Sequence, residues 1–202
     1  MAHTWVARVR SAAGVSALGV LIAGSVGTLP AAAESQNGAA DPLEIRVTTL
    51  AHPETSVRWG RAEGMVEAPI ADVLKVVSNY GAYHEFLPHF RASRVLSQRG
   101  KRALVYMEAG VARNTLTIWA QLKITPHSGP GGKQVIEAHM TKGNLDHMLA
   151  SWELTPIDAT HTLVAFQILV DPKVPLPASL VTSENEKASR KTIGALRKRL
   201  KS

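Results

Sequence analysis

Three groups of residues have the types and spacing to do chemistry. His84, Glu85 and His89 have the composition of a zinc-binding helix. Two imidazoles share a helical face at i and i+4, however, and these stand five apart with Pro88 between them. The triplet therefore reads as packing at a helix-to-strand junction, and no metal is expected. His139 and His147 flank Lys142 to Leu145, with Glu137 nearby. An imidazole beside a carboxylate is a minimal general acid–base pair. Glu137 and His139 alternate with Ile136, Ala138 and Met140, the more apolar set, which turns the two toward solvent and leaves no residue assigned to catalysis. Asn185, Ser189 and Thr192 interrupt an otherwise apolar helical stripe. A few polar groups of this kind orient a ligand inside an apolar pocket. The sequence has no nucleophile elbow, phosphate loop or dinucleotide fingerprint; Gly129, Gly131 and Gly132 fall in a hairpin turn, not before a helix. No cofactor is expected. With no cysteine in 202 residues, disulfides, thiolate catalysis and Cys-based zinc sites are excluded.

The elements that must position these groups follow from periodicity. Val57 to Val66 reads as a strand, with another possible from Glu44 to Leu50. Ala68-Pro69 stops it, and Pro69 suits the first turn of a helix, where its missing N–H costs nothing. Val73, Leu74, Val76 and Val77 give that helix an apolar face; a second short helical piece, Ala82 to Phe86, closes at Pro88. The period then changes to two. Strands are predicted at Phe90 to Leu96, Ala103 to Ala109, Thr115 to Thr125, Gln134 to Met140, His147 to Leu154 and Thr162 to Val170. Thr115 to Thr125 alternates most cleanly, with Leu116, Ile118, Ala120, Leu122 and Ile124 on one face. A long helix, about Ala178 to Leu200, ends the chain.

At ~100° per residue, Val181, Asn185, Ala188, Ser189, Thr192, Ile193, Ala195, Leu196 and Leu200 share one side of that helix. Lys187, Arg190, Lys191, Arg197, Lys198 and Lys201 cluster on the other, with Arg199 out of phase. The middle of the apolar stripe is small. Interiors are close-packed, so small residues there let the sheet approach or leave a void. The fold class is α+β: a curved antiparallel sheet of six to seven strands wrapped around the long C-terminal helix, with two short helices after the first strand. Such a grip covers the apolar face of the sheet and leaves space between sheet and helices. The expected ligand surface comprises Val105, Met107, Ile118, Leu122, Met140 and Trp152 from the strands. The helix adds Asn185, Ala188, Ser189, Thr192 and Leu196.

The N-terminus addresses the compartment. Arg8 and Arg10 precede an uncharged run from Ser11 to Leu29, then Pro30 and Ala31-Ala32-Ala33. Positive start, apolar middle and small-residue exit are the parts of a Sec-type secretory signal peptide. Residues 1–33 are read as that signal, 34–42 as a flexible lead-in and 43–202 as one domain. Export to the periplasm or beyond is expected, with an uncleaved inner-membrane tether as the rival. Removing the signal leaves 21 Lys+Arg against 16 Asp+Glu, a mildly basic net charge of +5. This balance suits a soluble domain, with possible contact between the basic helix face and anionic membrane lipid and Trp119 as an interfacial anchor. Nucleic acid is not an expected partner.

Several residues carry a resemblance: Ala68-Pro69; Tyr83, Phe86, Leu87 and Pro88; Ser93-Arg94-Val95; Lys142-Gly143-Asn144-Leu145; Trp152-Glu153-Leu154; and Asp171-Pro172 before the terminal helix. Over about Ser56 to Leu200 the chain resembles the START-like, or SRPBCC, superfamily, in its polyketide cyclase/dehydrase and lipid transport branch, which includes coenzyme-Q-binding START proteins. Many of the latter carry Gly-Pro-Phe where this chain has Gly143-Asn144-Leu145. The resemblance implies a helix-grip fold enclosing a hydrophobic cavity. The expectation is an exported binder or carrier of a lipid-, quinone- or polyketide-like molecule. The alternatives are a cyclase or dehydratase acting in the same cavity, with Glu108, Glu137, His139 and His147 as its titratable candidates, and a membrane-surface module.

Overall fold

The computed structural model describes residues 43–111 and 116–202. The expected signal and lead-in, 1–42, lie outside these. The strands are β1 (Arg46–His52), β2 (Thr55–Val66), β3 (Phe90–Arg99), β4 (Arg102–Val111), β5 (Leu116–Ser128), β6 (Gln134–Gly143), β7 (Leu145–Pro156) and β8 (Thr162–Pro172). The helices are α1 (Ile70–Ser78), α2 (Tyr83–Phe86) and α3 (Ala178–Lys201). All eight strands form one antiparallel sheet in the order β1-β2-β8-β7-β6-β5-β4-β3. The expected six to seven strands become eight because the optional N-terminal strand is present, as β1, and pairs with β2 across a tight turn between His52 and Thr55. Residues at the ends of the sheet make β1 and β3 its edges, and β3 bulges between Phe90 and Ala92 and again between Val95 and Ser97.

Strand register sets the concave face. One row crosses the sheet as Gly60, Ile168, Ala150, Ala138, Ile124 and Ala103; the next includes Ala62, Phe166, Trp152 and Ile136. Neighbours one residue along each strand point to the convex face, as a period of two requires. There Arg61 donates to Glu153 at 2.9 Å and Lys133 Nζ donates to the same carboxylate at 2.8 Å.

α1 and α3 begin just after prolines 69 and 177, and neither has a side-chain cap. α1 buries Val73 and Val77. α3 buries Val181, Asn185, Ser189, Thr192, Ile193 and Leu196 against β2 and β8, which is the stripe anticipated from periodicity. The opposite side needs correction at Arg197. Its Nε donates to Met65 O at 2.9 Å and its Nη1 to Leu43 O at 2.8 Å. One backbone carbonyl at the end of β2 and one just ahead of β1 thus hold inward a guanidinium that helical phase alone assigned to solvent.

α3 also completes the sheet. The β2–β8 ladder ends at Gly60 and Ile168. Beyond that point the backbone groups bond to helix side chains. Arg58 N donates to Thr182 Oγ1 at 3.0 Å, Asn185 Nδ2 donates to Arg58 O at 3.1 Å and to Val170 O at 3.3 Å, and Val170 N donates to Asn185 Oδ1 at 3.2 Å. Buried backbone polar groups must be paired, and here an amide and a hydroxyl replace the missing ladder. Gly60 makes this possible: a Cβ there would collide with the Asn185 carbonyl and the Glu186 nitrogen.

Candidate ligand cavity

Between the concave sheet face and α3, past Asn185, a cavity of about 90 Å³ remains. Its floor is the concave sheet face: Met107, Leu122, Ile124, Ile136, Met148 and Trp152 among others. One wall is α3 through Ala188, Lys191 and Thr192, and the other is the run from Tyr80 to Phe90. Small residues on α3 therefore act in two ways: around Asn185 the sheet closes on the helix, and around Ala188 and Thr192 a void is left.

Most polarity near the cavity is internally satisfied. Tyr83 is buried; its hydroxyl donates to Val77 O at 2.6 Å and accepts from Trp152 Nε1 at 3.1 Å. Burial raises its phenol above the usual range, against the smaller lowering effect of the Trp152 bond. Burial likewise raises Tyr80, opposed by a bond with Ser78. Ser93 Oγ donates to Tyr80 O, tying β3 to the turn before α2. The polar groups left over are Thr192, Lys191 and His89. His89 adopts φ 69°, a left-handed conformation that is uncommon for a non-glycine residue although histidine is enriched in it. Its carbonyl accepts from Gly110 N at 2.9 Å, which pins this turn to β4.

Of the residues expected to contact ligand, Met107, Leu122, Trp152, Ala188 and Thr192 line the cavity. Val105 and Leu196 are fully buried in the surrounding core, and Ile118 and Met140 pack at its margin. Asn185 is occupied by the β2–β8 gap, and Ser189 Oγ donates to Glu186 O at 2.8 Å within its own helix. The wall residues not anticipated are chiefly Tyr80, Tyr83, Leu87, His89 and Phe90. A resemblance block containing Tyr83, Leu87 and Pro88 was the available signal. The strand alternation also contained Ile124, Ile136 and Ala138.

The titratable candidates lie elsewhere. Register places Glu108, Glu137 and His139 one residue from the inward Met107, Ile136 and Ala138, on the convex face. His147 neighbours the inward Met148, and its ring lies 5.5 Å from that of His52. Trp119 stacks on Tyr106 at 6.1 Å, with Arg94 over Tyr106, on the convex face as well. The sheet therefore separates Trp119 from α3, so the two do not form one membrane-facing surface. His84 bonds Gly81 O and Glu85 pairs with Arg199 at 2.8 Å. Among the described residues no cluster of His, Asp and Glu is placed to hold a metal, and no helix is long and apolar enough to cross a membrane.

The family described as polyketide cyclase / dehydrase and lipid transport matches residues 66–197, the span from the end of β2 through α3 that builds the cavity. The chain belongs to this family. Solved structures show the same fold. A STAR-related lipid transfer protein from Xanthomonas axonopodis superposes with a TM-score of 0.68 at 20% identity, covering 78% of this chain and 94% of that one. Human StAR-related lipid transfer protein 5 gives 0.69 at 15% identity, covering 78% and 82%. The Zhui aromatase/cyclase from a Streptomyces species gives 0.54 at 16% identity, covering 78% and 94%. No curated protein sequence matches the chain. This START-like family and helix-grip architecture agree with the fold class expected from the residues.

Proposed function

We propose that this domain binds and carries a hydrophobic small molecule, lipid-, quinone- or polyketide-like, in the cavity between sheet and α3. The observation that carries this reading is the apolar wall. Its strand residues are aliphatic, aromatic or Met, while Glu108, Glu137, His139 and His147 all face the opposite side of the sheet. That arrangement favours carriage over acid–base turnover by those residues. Family membership and the lipid transfer names of two structural relatives support it. The N-terminal segment supports action outside the cytoplasm. The membrane-surface reading is less favoured, because four of the seven α3 cations are engaged locally: Lys187 with Glu184, Arg199 with Glu85, Lys201 with Glu67, and Arg197 with backbone.

The cavity is small. At about 90 Å³ it lies below the engineered void of roughly 150 Å³ that admits benzene, and far below the ~300–1,000 Å³ of ordinary ligand pockets. A lipid-sized guest must part the walls. The α3 wall is tied to the sheet through Thr182, Asn185 and Arg197 and the His89 turn through Gly110, so loading is expected to move the side chains between these fixed points, Leu87 and Phe90 facing Ala188 and Thr192. Native mass spectrometry of the protein from its own compartment, followed by uptake of apolar probes by delipidated protein, tests the reading. One-to-one loading that Ala188→Leu abolishes is expected. Failure of the intact, folded protein to take up any apolar molecule refutes it.

A further inference from the structure

The cavity has a chemically distinct mouth. Among its described lining residues none is acidic, and the two able to carry charge, Lys191 and His89, are both basic and both exposed. They come from opposite walls, α3 and the α2–β3 segment. A residue that lines a cavity and is also exposed stands at its rim, and a lysine does this by laying its methylene stem along apolar surface with the ammonium in water. Neither the Lys191 ammonium nor the His89 ring has an ion-pair or hydrogen-bond partner among the described residues, in contrast to Lys187, Arg199 and Lys201 on the same helix. Thr192, one residue from Lys191, adds a hydroxyl to the same wall, also without a described partner. His89 is held in its left-handed conformation by the Gly110 bond; strained backbone of this kind persists where surrounding structure fixes it, and it clusters at ligand clamps.

Resting on the carrier reading, we infer that the ligand is an anionic amphiphile, with a carboxylate or phosphate head bound at this mouth by Lys191, His89 and Thr192 and an apolar tail in the cavity. A head group of this kind accepts hydrogen bonds from all three. Imidazole presents an N–H donor whether or not it is protonated, and bonds to an ionised acceptor are the stronger kind. A hydrocarbon offers these donors no acceptor, and the carbonyls of a neutral quinone accept from them only in the weaker, uncharged kind of bond.

Delipidated protein titrated calorimetrically at pH 8 with decanoic acid, decyl phosphate and 1-decanol separates the possibilities. The tails are equal and only the heads differ. One or both acids are expected to bind about tenfold more tightly than the alcohol, the size of one charge-assisted contact at a part-exposed site; which of them does so identifies the head. The double variant Lys191→Gln/His89→Ala is expected to bring the acid-to-alcohol ratio close to one, while Lys198→Gln, on the exposed side of α3, leaves the ratio as in the parent. Saturable binding with equal affinity for acids and alcohol overturns the head-group inference and leaves the carrier reading standing. A preference for acid that survives the double variant overturns the assignment to these residues. Uptake of none of the three overturns both.

Discussion

Replacing Gly60 with alanine tests the joint between α3 and the sheet. A methyl group at residue 60 falls inside the van der Waals shells of the Asn185 carbonyl and the Glu186 nitrogen. These are helix backbone atoms and cannot rotate away, so α3 must retreat by roughly 1.5 Å to reach carbon–carbon separations of about 3.5–4.0 Å. The three Asn185 bonds to Arg58 and Val170 now measure 3.1, 3.2 and 3.3 Å. The same retreat takes all three beyond hydrogen-bonding range. At about 1 kcal/mol net for each, with strain from overpacking added, the cost comes to about 3 to 5 kcal/mol. For a domain of this size that lowers the melting temperature by roughly 10 °C. Urea and thermal unfolding of Gly60→Ala, Asn185→Ala and the double variant measure it. Because the first substitution already breaks the bonds that the second removes, the double variant is expected to lose much less than the sum of the singles. A Gly60→Ala protein within 1 kcal/mol of the parent, or strictly additive costs, refutes the reasoning.

Tyr83→Phe leaves the buried Trp152 Nε1–H and the Val77 carbonyl unpaired and is expected to cost about 1 to 3 kcal/mol, read by chemical unfolding. Ala188→Leu places three carbons into the 90 Å³ space and is expected to leave stability unchanged or raise it by about 1 kcal/mol, read as a higher melting temperature alongside lost probe uptake. Asp158 accepts from the backbone N–H of Thr160 and from its hydroxyl, and pairs with His161; these contacts hold its carboxyl down at about 2 against an ordinary 3.8. A depressed folded value means that the contribution is present above the ordinary value and disappears as pH falls from about 4 through about 2. Asp158→Ala should therefore flatten that part of the stability profile, and an NMR titration should place the carboxyl near the lower limit.

The order of elements was legible because each side chain reports its own period. The alternation from Leu116 to Ile124 emerged with Ala120, Leu122 and Ile124 buried and Leu116 and Ile118 half-buried, and the helix stripe emerged with Val181, Asn185, Ser189, Thr192, Ile193 and Leu196 buried. The convex placement of Glu137 and His139 followed from the same parity. What could not be read are properties of two segments at once. Asn185 has the chemistry of a ligand contact, and only the end of the β2–β8 ladder at Gly60 turns it into a structural clasp. Arg197 has solvent phase on an isolated helix, and only the nearby carbonyls of Met65 and Leu43 draw it in. The wall from Tyr80 to Phe90 belongs to a segment too short and irregular to show a period, so its approach to α3 across the cavity left no pattern along the chain.

The bridging of β2 and β8 by α3 bears on the order in which the chain assembles. From β3 to β8 every strand pairs with its sequence neighbour, and β1 pairs with β2 in the same local way. The seam between these two parts joins residues about a hundred positions apart, from Val66 with Thr162 to Gly60 with Ile168. Closing such a loop is entropically costly and makes non-local pairing slow. The two local parts are thus expected to form early and the seam late, with α3 docking at the rate-limiting step because its side chains complete the very ladder that seals them. Substitutions at Thr182 and Asn185 should then change the folding rate as much as the stability, whereas those in the β6–β7 hairpin should act mainly on unfolding.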